Sequence, residues 1–376
     1  MRAVVVSGIW PPDPGGPASH APALAAFLAS RGHGVEVVTT ADAPPASDAF
    51  PVRWVSRSLP AGARHARCVL AIRSAAARSD VVYATSMVRR AALGSALARR
   101  PLVVKLVSDE VFERARRGGR FDGTLDDFEQ AGGLRNRFLR ASRALALRRA
   151  RHVLSPSAYL RDAALGWGLD PDRVSVVPNP APAVPELPLR EELRRRLALD
   201  GVALAFAGRL GPQKALQVAL EALSDVPSVS LAIAGEGPER GALERQAAKL
   251  GLADRVRFLD GLDRPAVLRL FRAADASLLS SSWENFPHSV VESLAVGTPV
   301  IATAVGGVPE VVRDGENGLL VPPDDPGALA GAIRAFAGDP ALRDRLAAGA
   351  AASVAAYTEE AVFERIEAEL LRTVAR

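Results

Sequence analysis

Two glutamates eight residues apart, Glu284 and Glu292, lie in the segment Ser282-Trp283-Glu284-Asn285-Phe286-Pro287-His288-Ser289-Val290-Val291-Glu292. Paired carboxylates can cleave a glycosidic bond as nucleophile and acid, or they can accept hydrogen bonds from hydroxyl groups. Spacing selects neither. With 20 Glu in 376 residues, about one such pair arises by chance, and Glu236/Glu244 and Glu359/Glu367 share the interval. The setting separates the 284/292 pair: a strand-like run from Asp275 to Ser281, an acidic loop, a proline near a first helical turn, and then a helix.

Two further segments carry candidate chemistry. In Phe206-Ala207-Gly208-Arg209-Leu210-Gly211-Pro212-Gln213-Lys214 a strand ends in Gly-Arg, and a lysine follows at the next helix start. Two fixed cations there could hold both phosphates of a diphosphate and neutralise charge developing on a leaving nucleotide. The chain has only three lysines, Lys105, Lys214 and Lys249, and otherwise uses arginine for its cations. Gly15-Gly16 stands between the first strand and the first helix, where backbone amides without a Cβ in the way suit a phosphate.

The block from Ser280 to Pro323 resembles the donor-binding core of retaining glycosyltransferases of family 4, nucleotide-sugar-dependent enzymes of the GT-B fold. That family pattern is Glu, seven residues, Glu, followed here by Ala295-Val296-Gly297-Thr298-Pro299-Val300-Ile301-Ala302 and Gly306-Gly307-Val308-Pro309-Glu310. Gly208-Arg209-Leu210 with Lys214 matches a second family pattern, with Ala215 where a glycine is usual. Gly15-Gly16 and the helix-ending Gly32-His33-Gly34-Val35 match a third, which makes His33 structural rather than catalytic.

The resemblance implies roles. Glu292 would accept both ribose hydroxyls, since two vicinal donors need one bidentate acceptor, and Glu284 would face the hydroxyls of the transferred sugar. Asn285, Phe286, His288 and Ser289 would line the sugar site, and Leu262 would pass the nucleotide base. Relatives often carry glycine where Pro287 stands; proline has no N–H, so one sugar contact is missing. The family also places a histidine near Lys105-Leu106-Val107-Ser108-Asp109-Glu110-Val111-Phe112-Glu113-Arg114, where this chain has none. Asp109 or Glu110 takes its place, Asp109 being favoured by the aromatic-Glu-Arg that follows. Gly235-Glu236-Gly237-Pro238 matches a family turn and reads as structural. The catalytic set expected is therefore Arg209, Lys214, Glu284 and Asp109, with neither metal nor cofactor: Asp170-Pro171-Asp172 sits in a helix-to-strand turn, and the five His and one Cys have no metal-ligand spacing.

Composition narrows the class. A single Cys, Cys68, excludes an internal disulfide and fits a reducing cytoplasm. No apolar run reaches the length of a membrane span. Up to Pro178 the chain has 26 Lys+Arg against 15 Asp+Glu, a balance of +11, and the remainder has 21 against 27, a balance of −6. A basic front half suits an anionic acceptor, the inner face of an anionic membrane, or a solvated arginine surface. Nucleic acid would rest on charge alone, with 5% aromatic residues and no binding motif.

Short β-branched runs alternate with Ala/Leu/Arg segments of helical length, which is the pattern of parallel sheets with crossover helices. Strands are expected at 3–7, 35–40, 52–55, 81–84, 102–107, 152–155 and 174–177, and again at 202–207, 229–234, 256–259, 276–280, 300–303 and 318–321. Residues 118–133 read as a loop or short helices. Five prolines between Pro178 and Pro188 break both ladder and helix. The expectation is an α/β protein of two doubly wound, Rossmann-like domains facing across a cleft: an acceptor-side domain 1–180, a donor domain 181–357, and a terminal helix within 358–376 that the resemblance sends back onto the first domain. The activity expected is transfer of a sugar from a nucleoside diphosphate to a hydroxyl acceptor with retained configuration. A scaffold that binds nucleotide sugar without turnover is the alternative, and a dinucleotide-dependent oxidoreductase is weaker, because the first β–α turn lacks Gly-x-Gly-x-x-Gly.

Overall fold

The structure is a computed structural model that describes residues 1–13, 16–45, 49–121, 123 and 125–375. It divides into two compact units, Met1–Pro178 with Glu360–Arg376, and Asn179–Glu359.

The first unit is built on a seven-stranded sheet. Its elements in chain order are β1 (Arg2–Ser7), α1 (Gly16–Ser30), β2 (Gly34–Ala41), β3 (Val52–Ser56), α2 (Ala61–Ala76), β4 (Val81–Ala84), α3 (Val88–Leu97), β5 (Leu102–Lys105), α4 (Glu110–Arg117), α5 (Leu125–Gln130), α6 (Leu134–Arg148), β6 (His152–Ser155), α7 (Ala158–Gly166) and β7 (Val174–Val176). The strands lie in the order β3-β2-β1-β4-β5-β6-β7. All pairings are parallel, with Ala3 in register with Val35 on one side and Val81 on the other. Val4, Val5, Val37, Val82 and Val103 are fully buried, as expected where helices cover both faces of a parallel sheet.

The second unit repeats the plan with α8 (Arg190–Leu197), β8 (Val202–Ala207), α9 (Leu216–Ser224), β9 (Val229–Ala234), α10 (Arg240–Lys249), β10 (Val256–Leu259), α11 (Arg264–Ala273), β11 (Ala276–Leu279), α12 (His288–Ala295), β12 (Val300–Thr303), β13 (Gly318–Val321), α13 (Pro326–Gly338) and α14 (Pro340–Ser353). Its strand order, β10-β9-β8-β11-β12-β13, reverses direction between β8 and β11 as the first sheet does between β1 and β4. The last helix, α15 (Glu359–Ala375), packs Val362, Phe363, Ile366 and Leu370 into the core of the first unit, beside Leu24, Leu28 and Tyr83.

Among the described residues thirteen strands form where thirteen were expected, and the differences are at the ends. β5 stops at Lys105 rather than Val107, and the buried side chain of that lysine donates to the Val177 and Pro178 carbonyls beyond β7. β11 stops at Leu279, because Ser280 leaves the ladder to donate to the Lys214 carbonyl at 2.8 Å. The acidic stretch after Gly118 includes α5, held to α4 by a cluster of Phe112, Phe121 and Phe128 with ring centroids 5.2 to 6.2 Å apart.

Candidate functional site

In doubly wound sheets, ligands bind beyond the carboxyl ends of the strands where the strand order reverses. In the second unit that point lies between the loops leaving β8 and β11, and these loops carry Arg209, Lys214 and Glu284. The two loops are tied together: Gln213 Nε2 donates to the Trp283 carbonyl at 2.8 Å, and the Ser282 N–H donates to the Gln213 carbonyl at 2.9 Å. The Thr303 hydroxyl, at the end of β12, holds the Ser281 carbonyl at 2.6 Å.

On this frame Lys214 Nζ meets Glu284 Oε1 at 2.5 Å, and the same oxygen accepts from the Ser281 hydroxyl at 2.8 Å. Glu284 is buried, so its charge needs these partners. A lysine ammonium has three protons to donate, and one goes to Glu284. Arg209 is exposed and has no ion pair or side-chain hydrogen bond among the described residues. Ala215 takes φ +45°, the left-handed conformation that a glycine adopts without cost, so the departure from the family pattern falls at a position where glycine has a physical reason.

Two glycines explain how the loops approach so closely. Gly306, at φ +53°, lies against the Glu284 carbonyl, where a Cβ would overlap the oxygen, and the Gly307 N–H donates to that same carbonyl at 3.2 Å. Gly235 is packed equally tightly on the Gly208 carbonyl, and the Leu210 N–H reaches the Glu236 carbonyl at 2.8 Å. The Gly-Glu-Gly turn thus buttresses the loop that carries Arg209.

Helix α12 starts at the same place. Pro287 is its N-cap and provides no side-chain cap; His288 and Ser289 open the helix. Asn285 and Phe286 are buried, and the Phe286 ring stands edge-on to His288 with centroids 5.8 Å apart. His288 Nε2 lies 3.1 Å from Asn179 Nδ2. One turn along, Glu292 pairs with Arg264 at 3.2 Å, and burial pushes its carboxyl above the usual range against the pull of that arginine. Arg264 opens α11, capped by Asp263 and preceded by the exposed Leu262.

The first unit contains the other predicted residues. Gly15 lies outside the described residues, and Gly16 opens α1. Asp109 is buried and caps α4, accepting from the Val111 N–H at 2.9 Å, while its other oxygen takes the Arg143 guanidinium. Burial raises its carboxyl, with Arg143 pulling the other way. Arg143 also holds Glu129 at 2.7 Å and lies 3.7 Å over the Trp167 ring. Glu110 lines a cavity of about 960 Å³ with Arg89 and Arg90. His33 follows the end of α1 and meets Glu367 of α15 at 2.6 Å. Among the described residues no group of three or more His, Cys, Asp or Glu could hold a metal ion, and no helix is long and apolar enough to cross a membrane.

Sequence reasoning missed Gln213, Ser281 and Thr303, since hydrogen bonds between loops leave no spacing signal. It also missed Arg264, whose only mark is its position after the cap Asp263.

Two family models match the chain: "Glycosyl transferases group 1" over residues 190–352, and "Glycosyl transferase 4-like domain" over residues 15–180. A D-inositol 3-phosphate glycosyltransferase of Thermomonospora curvata is 36% identical over 225 residues, covering 53% of this chain and 52% of the relative. One from Acidothermus cellulolyticus is 41% identical over 207 residues, covering 50% and 45%. The chain thus spans about half the length of the curated relatives it matches. Among solved structures, the Anabaena protein HepE in complex with UDP and glucose superposes with a TM-score of 0.81 at 22% identity, over 99% of this chain and 100% of that one. The sucrose-phosphate synthase of Thermosynechococcus elongatus gives 0.82 at 21% identity, over 100% and 99%. At these identities the likeness shows the fold, and it is the two-sheet glycosyltransferase fold that the sequence implied.

Proposed function

The chain belongs to the family-4 glycosyltransferases, and from that premise we propose that it moves a sugar from a nucleoside diphosphate to a hydroxyl acceptor with retained anomeric configuration. The observation that carries this reading is the pairing of Lys214 with Glu284 across the switch point, with Arg209 unpaired beside it among the described residues.

The arrangement divides the work. Arg209 offers a planar fork of donors to the diphosphate. Lys214 donates one N–H to Glu284 and turns the others to the phosphates, so a single ammonium orients the sugar-facing carboxylate and offsets charge on the leaving group. Glu284 accepts from sugar hydroxyls. Glu292 accepts from the ribose, with Arg264 setting its orientation. The uncapped start of α12, at His288 and Ser289, adds a positive dipole end. Asn285 and Phe286 wall the sugar, and Pro287 withholds the N–H that a glycine would present. Leu262 faces the base. Asp109, whose two oxygens are committed to the α4 cap and to Arg143, positions the floor of the first unit and does not meet the reacting bond. Neutralising the leaving diphosphate falls to Arg209, Lys214 and backbone dipoles, and the reading includes no metal or cofactor. The protein would work in the cytoplasm, with its arginine-rich first unit able to face an anionic membrane.

A thermal-shift series with UDP-, GDP-, ADP- and dTDP-sugars tests the reading. One donor should stabilise the fold selectively by mass action, and Lys214→Ala should lower transfer from that donor by about a hundredfold or more, as the loss of a charge-stabilising group does. No shift from any donor, or unchanged transfer by the variant, would overturn the assignment.

A further inference from the structure

We infer that the amino edge of the first sheet holds an anion site, built from five arginines, that takes a short linear oligophosphate. A cavity of about 530 Å³ opens there, lined by Arg99, Arg100, Arg149, Arg151 and Arg173. These residues stand at the entries to neighbouring strands: Arg99 and Arg100 precede β5, Arg149 and Arg151 precede β6, and Arg173 precedes β7. Doubly wound sheets bind their usual ligands beyond the carboxyl ends of the strands, so this edge is the one the fold leaves over.

Charge singles the cavity out. Its wall sets one carboxylate, Asp80, against five arginines, a balance of +4, and Asp80 already accepts the Arg2 N–H at 2.7 Å. Among the described residues none of the five guanidinium groups has an ion pair or a hydrogen bond. Elsewhere the same unit pairs its arginines: Arg143 has Asp109 and Glu129, and Arg57 has Asp13 and Asp42. Like charges gathered in a concave surface repel one another and focus a positive field outward. A multiply charged anion relieves that repulsion.

The helix ends do not account for the whole cluster. Cations suit the carboxyl ends of α3 and α6, which Arg99, Arg100, Arg149 and Arg151 follow. Arg173 has no such reason, since it closes a three-residue turn, Pro171–Arg173, too short to build a dipole. Arg99 also takes φ +56°, the left-handed conformation that a glycine adopts without cost at a helix end. Strain of this kind points to a use for the side chain.

Shape and lining select the ligand. β5, β6 and β7 are adjacent in the sheet, so their entries span about 10 Å, which suits a chain of phosphates rather than one. The planar fork of arginine meets phosphate oxygens in pairs. Among the described residues no aromatic side chain lines the cavity, and a nucleobase would find nothing to stack on.

Calorimetric titration of the full chain with tripolyphosphate, with orthophosphate and with phosphatidylglycerol vesicles tests this, run in parallel on Arg151→Gln/Arg173→Gln and on Lys214→Ala. Tripolyphosphate should bind about thirtyfold tighter than orthophosphate or more, and the double arginine variant should lose about tenfold of that affinity, the effect of one charge-assisted hydrogen bond. Both replaced side chains are exposed, so without ligand the variant should melt within about 2 °C of the wild type. Lys214→Ala, altered in the second unit, should bind tripolyphosphate as the wild type does. Equal binding of the two phosphates, or a preference that survives in the arginine variant, would overturn the inference. So would a preference lost in Lys214→Ala instead, which moves the anion to the second unit, or binding of vesicles without binding of tripolyphosphate, which makes the arginines a surface and not a pocket.

Discussion

Glu292 shows how one residue can answer to opposite demands from folding and binding. Burial raises its carboxyl above the usual glutamate value despite Arg264, so the folded state holds the proton more tightly than the unfolded chain does. The stability linked to this group is present below the unfolded pKa and is lost as pH rises through the folded one. The ribose binding proposed for Glu292 has the opposite sign, because only the carboxylate accepts two hydroxyl protons. Nucleoside-diphosphate affinity should therefore weaken as pH falls from about 7 toward about 4.5, starting above the range of an ordinary glutamate, and Glu292→Gln should bind more weakly with a flat profile. Titration calorimetry across that range checks it; a wild-type profile as flat as the variant's would remove Glu292 from the ribose site. The sequence made this residue visible through the resemblance, because the pair it forms with Glu284 begins at a strand-to-helix edge. It did not show Arg264, because the pairing spans two helices.

The loops that bear the site depend on glycines for contact rather than for flexibility. At Gly306 a side chain would collide with the carbonyl of Glu284, and a positive φ adds strain for any other residue. Gly306→Ala should cost about 2 kcal/mol or more, with a larger fractional loss of turnover than of nucleotide affinity, since the carbonyl displaced belongs to Glu284, proposed to face the sugar, and not to Glu292. Denaturant unfolding and steady-state kinetics together would show it, and a variant that turns over normally would mean the loop is not held by this contact. Strands were legible at this scale because buried β-branched runs between helices have one reading. Strand ends at Lys105 and Leu279 were not legible, and the bonds that the Lys105 and Ser280 side chains make there to carbonyls of distant loops leave no mark in a hydropathy pattern.

At the scale of the molecule, the first unit is made from both ends of the chain. The chain leaves it after Pro178, builds the second unit, and re-enters at Glu360. What α15 brings is a ridge of apolar residues with carboxylates beside it: Phe363 stacks near His20 and Phe27, with centroids 5.5 and 5.6 Å away, and Glu367 meets His33 and Arg31. Burial alone would raise the Glu367 carboxyl, but His33 and Arg31 outweigh it and hold it low. The helix thus returns acidic groups to a half that is rich in arginine up to Pro178. Phe363 is 2% exposed, and removing a buried aromatic ring costs about 3–5 kcal/mol. A chain of two units has no single unfolding free energy, so the loss should be read locally. Phe363→Ala should speed amide exchange in β1 and α1, and leave β8 and β11 near their wild-type rates. Equal acceleration in both sheets would mean that α15 supports more than the core it is buried in, whereas no acceleration in β1 would mean that the first unit stands without it.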